Sequence, residues 1–232
     1  MDSLKVYQFD KKLRLGSISD GGYVIADLEG TYDCYISAGI SDEESFSRDF
    51  LNKYNVAESH GFDGTISHYP TEYTDRVNFI KKNINFFNDD NNTDLRDLLD
   101  CFQNIFLKMD IEGGEYPWIL SVDESRLKNI KQIVIEFHGV NGNNWGCNLD
   151  NKLSCFKKLE RNFYIVHAHG NNYDKFINGI PDVLELTFVN KNYFNEQPEL
   201  NKVQLPIKGL DFPNNPSRED FDLNRYPFVT IC

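Results

Sequence analysis

Leu107-Lys108-Met109-Asp110-Ile111-Glu112-Gly113-Gly114-Glu115-Tyr116-Pro117-Trp118 is the stretch on which the reading of this chain turns. An apolar, strand-like run leads directly into three carboxylates, Asp110, Glu112 and Glu115, with a Gly-Gly pair between them. Such a segment makes a poor packing element. It suits the place where an open parallel sheet holds its ligands, outside the carboxyl end of a strand.

Six further apolar runs flank it, at 34–37, 56–62, 77–80, 133–137, 164–168 and 183–189. Their spacing is too long for hairpins and long enough for helices. Helical periodicity puts Phe46, Phe50 and Leu51 on one face of 43–54; Leu95, Leu98, Leu99 and Phe102 form a second face, and 149–159 a third. Alternating strands and helices predict an α/β fold with a doubly wound, seven-stranded, mostly parallel sheet. The last two runs are joined by 170–182, which has turn residues but no helix pattern, so that pair is expected to be antiparallel. The proline-containing tail, 205–232, is expected to wrap the surface of a single domain spanning 1–232, with its catalytic core at 15–189.

Composition removes several function classes. The chain has 232 residues, 24 Lys+Arg against 36 Asp+Glu, a net charge of −12 and no basic cluster, which argues against a nucleic-acid partner. No apolar run approaches the ~20 residues a membrane helix needs, and the N-terminus lacks a signal-peptide pattern. Cys34, Cys101, Cys147, Cys155 and Cys232 form no Cys-x-x-Cys pair and read as scattered reduced thiols, in keeping with a cytoplasmic protein without membrane insertion.

The other strand ends extend the pattern. Ser37-Ala38-Gly39-Ile40-Ser41-Asp42 lets a ligand approach the backbone at Gly39, but Glu43 and Glu44 at the next helix start would repel a pyrophosphate. A NAD or ATP site is thereby disfavoured and a ligand bearing positive charge favoured. Asp63, ending the next strand, is placed to accept ribose hydroxyls or to cap its own turn. Strand alternation puts Glu136 and His138 on one face, and His167 and His169 likewise. Three of the five histidines thus end two neighbouring strands beside an acidic loop.

These residues resemble the FkbM-type, S-adenosylmethionine-dependent methyltransferases. The motif from Lys108 to Glu115 carries the resemblance, supported by Asp20-Gly21-Gly22-Tyr23-Val24, the Ser-Ala-Gly-Ile loop and Pro181-Asp182-Val183-Leu184-Glu185-Leu186-Thr187. It covers approximately residues 15–189, with a further tail element at Leu210-Asp211-Phe212-Pro213-Asn214. The resemblance implies a Rossmann-like class I fold and S-adenosylmethionine as cofactor. Asp63 would hold its ribose, Asp94 its adenine side, and Asp20, Gly21 and Gly22 its amino-acid end, with Ser37, Gly39 and Asp110 completing the site. The usual Gly-x-Gly-x-Gly loop is reduced here to Gly39. The Asn/Asp-Pro-Pro-Tyr of amino-methyltransferases is absent, which disfavours a nucleobase or amide nitrogen as acceptor, and the resemblance implies a hydroxyl.

A hydroxyl must lose its proton. His138 suits a general base, with Asp110 and Glu112 beside it. Alternatively a divalent or iron-type metal ion, held by Asp110, Glu136, His138 and His169, would lower the hydroxyl's pKa. A plainer possibility is a buried Glu136–His167 pair, with His138 alone reaching the substrate. The resemblance suggests a small-molecule or glycan substrate, a sugar hydroxyl above all. Glu115, Tyr116, Asn141, His169 and Asn171 are candidate contacts, and the Gly/Asn-rich loop 139–148 is expected to be a mobile lid. Two rival readings are a non-catalytic glycan-assembly module on the same fold and an NAD-dependent oxidoreductase. The oligomeric state is left open.

Overall fold

A computed structural model describes residues 2–230; Cys232, one of the five thiols, lies outside the described residues. All seven predicted runs are strands of one sheet. In chain order they are β1 (Tyr32–Ala38), β2 (Val56–Phe62), β3 (Asn78–Ile80), β4 (Ile105–Met109), β5 (Ile130–His138), β6 (Phe163–Gly170) and β7 (Val183–Asn190). Their spatial order is β6-β7-β5-β4-β1-β2-β3. β7 runs antiparallel to both β5 and β6, and the remaining neighbours are parallel. The chain therefore starts at the centre, winds to one edge, returns and winds to the other, and its switch point lies between β1 and β4.

Burial explains why these runs read so clearly. Every residue of β4, β5 and β7 is buried, as expected of strands covered on both faces. One face packs against α1 (Ser45–Lys53), whose Phe46 and Phe50 join Tyr35 and Phe106 in an aromatic stack. On the opposite face, the main core gathers α2 (Arg96–Cys101), α3 (Glu115–Ser121) and α4 (Leu149–Asn162).

Two elements go beyond the sequence reading. A short antiparallel hairpin, Lys12–Leu15 with Tyr23–Ala26, covers the sheet near β5 and β7 and carries Tyr23 over the strand ends. The tail does more than wrap the surface. Leu205, Leu223, Phe228 and Val229 enter the main core, and Asp211 and Asn214 are buried beside the strand ends. No helix among the described residues is long and apolar enough to cross a membrane.

Candidate active site

A cavity of about 660 Å³ opens at the carboxyl ends of β1, β2 and β4, at the switch point. Its walls are Gly39–Glu44, Phe62–Thr65, Lys82–Ile84 and Asp110–Glu112, and Asp20, Gly21 and Tyr23 close it from the hairpin side. Gly39 makes this closure possible. Its φ is +80°, and a Cβ there would lie 1.6 Å from the Asp110 carbonyl oxygen, so only glycine lets the two strand-end loops touch. The Asp110 amide donates to the Ala38 carbonyl at 2.9 Å and the Gly39 amide to the Phe62 carbonyl at 3.0 Å. All three loops are locked together.

Asp63 is the keystone of the cavity floor. One carboxylate oxygen accepts the Ile40 and Ser41 amides, each at 3.0 Å, and the other accepts the Thr65 amide and hydroxyl at 2.7 and 2.6 Å. Burial opposes ionisation, but the donors from Ser41, Thr65 and Ile40 outweigh it and hold the carboxyl down at about 2. Asp63 is thus both a cavity-lining carboxylate and the anchor of the glycine loop.

The lining carries seven carboxylates and two lysines. One lysine, Lys108, is turned inward to the Gly39 carbonyl at 2.5 Å and lies 5.9 Å from the centre of the Tyr23 ring. Among the lining carboxylates, the buried Glu44 accepts from the Ser37, Ser47 and Tyr69 hydroxyls, and burial raises its pKa. Ser37 therefore supports the loop from below rather than lining the cavity. Gly22 serves the tight turn behind Gly21, where an added Cβ would meet the Ser17 carbonyl at 1.9 Å. Asp94 lies outside the cavity, taken up by Asn88, the Arg96 amide and the Arg96 guanidinium. Lys82, Asn83 and Ile84, at a two-residue strand paired with Asn92 and Thr93 that sequence periodicity does not mark, supply the wall instead.

Behind the lining residues Asp110 and Glu112, and not itself part of the cavity wall, His138 terminates β5. Its Nδ1 stands 3.2 Å from the fully buried Glu115, and its Nε2 stands 3.8 Å from Asp110, 3.4 Å from Glu112 and 3.7 Å from Glu136. Burial alone would lower the imidazole pKa. The Glu115 hydrogen bond and the charges of Glu115, Asp110 and Glu112 outweigh burial and raise it. Glu112 holds its place with a left-handed backbone (φ +54°), an uncommon conformation for a non-glycine residue.

Ligand atoms of Asp110, Glu112 and His138 lie within 4.8 Å of one another, close enough to share a cation. His169 is not brought to this group. It sits between Glu185 and Asp220, each 3.0 Å from a ring nitrogen, and those charges overcome burial and raise its pKa to about 10. Glu136 and His167 do not pair with each other. Glu136 accepts from Asn171 at 3.0 Å and from Tyr23 at 3.4 Å, while His167 bonds Asp211 of the tail at 2.8 Å. Burial, then the charges of Asp110 and Glu185, push the Glu136 carboxyl well above its usual range.

Among the expected acceptor contacts, Tyr116 lies in the core, with its ring against Phe137 and Phe156. Asn141 ties its own loop to Asp182 and to the Ile180 carbonyl. Asn171 reaches the site only through Glu136. Asp211 and Asn214 fall in the tail element Leu210–Asn214 that shares the family resemblance, whereas no local pattern links Asp220 to its partner His169. Asn214 donates to both Asp20, at 3.0 Å, and Glu185, at 2.7 Å, which joins the tail to the cavity wall.

The methyltransferase FkbM domain model matches residues 24–186. The chain belongs to the FkbM methyltransferase family. Membership in this family implies S-adenosylmethionine as the methyl donor, and the acidic cavity at the switch point suits that cationic cofactor. No curated protein matches the chain in sequence. Among solved structures, it is similar to a TehB-like SAM-dependent methyltransferase from Corynebacterium glutamicum, with 13% identity and a TM-score of 0.40 over 70% of this chain and 83% of that one. It is also similar to a Clostridium thermocellum protein assigned as an rRNA-methylase, with 14% identity and a TM-score of 0.41 over 69% and 88%.

Proposed function

We propose that this FkbM methyltransferase transfers the methyl group of S-adenosylmethionine to a hydroxyl of a sugar, as one catalytic unit whose acceptor choice lies in its loops and tail. The observation that carries the reading is the Glu115–His138 pair. Glu115 accepts the Nδ1 proton and so leaves Nε2 as the basic nitrogen, facing Asp110 and Glu112 at the cavity's end. A sulfonium bound among those carboxylates would lower the imidazole's proton affinity and free Nε2 to take the acceptor's proton as the carbon–sulfur bond breaks. Methyl transfer is an in-line displacement, so the remaining contribution is alignment and exclusion of water. Asp63 and the glycine loop would fix the cofactor, with Asp20 and Gly21 closing over it.

A second reading is favoured by the convergence of Asp110, Glu112 and His138. Mixed carboxylate and imidazole donors suit a divalent transition metal, which would acidify the acceptor hydroxyl when bound. The two readings assign different work to one imidazole.

The deciding experiment is methyl transfer from labelled S-adenosylmethionine against a panel of nucleotide sugars and glycans, with metal analysis of the purified protein. His138→Ala should abolish transfer and leave S-adenosylhomocysteine binding within about twofold. Binding of neither cofactor form would sink the transferase reading, and activity unchanged by thorough chelation would remove the metal.

A further inference from the structure

The loop between β5 and α4 carries Trp145, a residue 42% exposed whose indole lies 5.0 Å, centre to centre, from the His138 ring. Below it is the motif itself, because an added Cβ on Gly113 would come within 3.1 Å of the Trp145 Cβ. A large apolar ring thus stands beside the proposed base, half open to solvent, and the backbone beneath it holds a left-handed conformation (φ +51°).

What fixes that loop is a buried lysine. Lys152 is fully buried in the first turns of α4, on the face that also carries Cys155, Phe156 and Leu159. Its ammonium donates to the carbonyls of Gly139, Gly142 and Asn144 and to the Asn144 side-chain oxygen, and it lies 5.2 Å from the centre of the Tyr116 ring. Burying an ammonium is costly unless its donors are satisfied, so the loop's oxygens and Lys152 hold each other in place. Asp182 adds a second tie, accepting from the Asn141 amide at 2.9 Å and the Asn144 side chain at 3.2 Å. The Gly- and Asn-rich loop is thus tied twice, to α4 through Lys152 and to Asp182.

We propose that Trp145 is the platform on which the acceptor's ring stacks, and that Lys152 is the positioning residue that holds it over the motif. The inference rests on the hydroxyl-methylation reading above and narrows its substrate to a pyranose. Such a ring presents an apolar C–H face to the indole while a rim hydroxyl reaches His138 Nε2. Tryptophan supplies a large rigid face at small entropic cost. An acyclic acceptor gains nothing from it, and the carboxylates around His138 repel a negative group placed directly beside them.

Calorimetry on the protein saturated with S-adenosylhomocysteine, titrated with the methyl α-pyranosides of glucose, galactose, mannose and rhamnose, tests this. At least one should bind. Trp145→Ala should weaken that binding about tenfold or more, and Trp145→Phe should weaken it less. Lys152→Met should weaken it about fivefold and shift the tryptophan emission, with S-adenosylhomocysteine affinity unchanged in all three. Should Lys152→Met fail to fold, Asp182→Asn releases the second tie and should act in the same direction. Failure of every pyranoside to bind, or equal affinity in Trp145→Ala, overturns the platform. A pyranoside that binds through Trp145 but is never methylated upholds the platform and counts against the transferase reading.

Discussion

Nδ1 of His138 lies 3.2 Å from Oε1 of Glu115, a carboxylate with no solvent exposure that also accepts the Ile111 and Gly113 amides at 3.2 Å. One residue of the acidic motif therefore shapes the motif's own turn and orients an imidazole at the end of the next strand, β5. This coupling makes the pH profile of transfer informative. The base acts when deprotonated, and its pKa is raised, so the rate should climb with pH through a midpoint above the ordinary 6.5. Glu115→Gln removes the charge and the strongest raising contact. The rising limb should then move to lower pH, while the plateau falls about tenfold or more because the weaker base is less well oriented. A profile of kcat/KM against pH checks both shifts; a limb that stays in place would contradict the assignment of His138 as base.

Asp63 offers a separate test, in the absence of any acceptor. Its carboxyl titrates at about 2 in the folded chain, below the ~3.9 of an unperturbed Asp. A folded-state pKa lower than the unfolded one stabilises the fold above the unfolded value and loses that contribution as pH falls toward the folded one. The wild-type Tm should therefore drop between about pH 4 and pH 2. Asp63→Asn should start lower at neutral pH and fall less over that window. The same variant, having loosened the Ile40 and Ser41 amides, should bind S-adenosylhomocysteine about tenfold more weakly, the loss of one charge-assisted hydrogen bond. Unaltered affinity would mean that the loop stands without this anchor.

The closeness of the β1 and β4 loops can be measured with a pair of glycines. Gly39→Ala adds a Cβ 1.6 Å from the Asp110 carbonyl at a φ of +80°, whereas Gly142→Ala, at a φ of +85°, meets nothing within 4 Å. Both variants carry the backbone penalty of roughly 1 kcal/mol, and only the first also carries the clash, so Gly39→Ala should cost about 3 kcal/mol or more. Urea denaturation of the two variants gives the difference. Similar losses would show that the loops yield without strain.

The sheet was legible because its strands are buried on both faces and so read as continuous apolar runs between helices. Asp63, Asp110 and His138 were legible for a related reason, since the rule that ligands gather at strand ends needs only the strands. Contacts between distant segments were not. His169 read as a metal ligand because its partner Asp220 lies in the tail, 51 residues away, without a periodic signal. Lys152 did carry one: a lysine in register with Cys155, Phe156 and Leu159 occupies an apolar helix face, where an ammonium needs a dedicated set of acceptors. The loop 139–148 read as mobile from composition alone, and composition does not show that its carbonyls converge on that ammonium.

The tail itself is open to test through His169. Held between Glu185 and Asp220, this imidazole has its pKa raised to about 10 despite burial. Because the folded value exceeds the unfolded ~6.5, the stabilisation is fully present below pH 6.5 and is lost as pH rises through 10. Asp220 stands in the tail segment that also delivers Asn214 to Asp20 and Glu185, so weakening this pair loosens a wall of the cavity. The wild-type Tm should decline from pH 7 to pH 10. Asp220→Asn should lie lower at pH 7 and decline less steeply, with exchange of tail amides accelerated between residues 211 and 220. A tail that exchanges no faster in the variant would show that Leu205, Leu223 and Phe228 alone, through their place in the core, keep it docked.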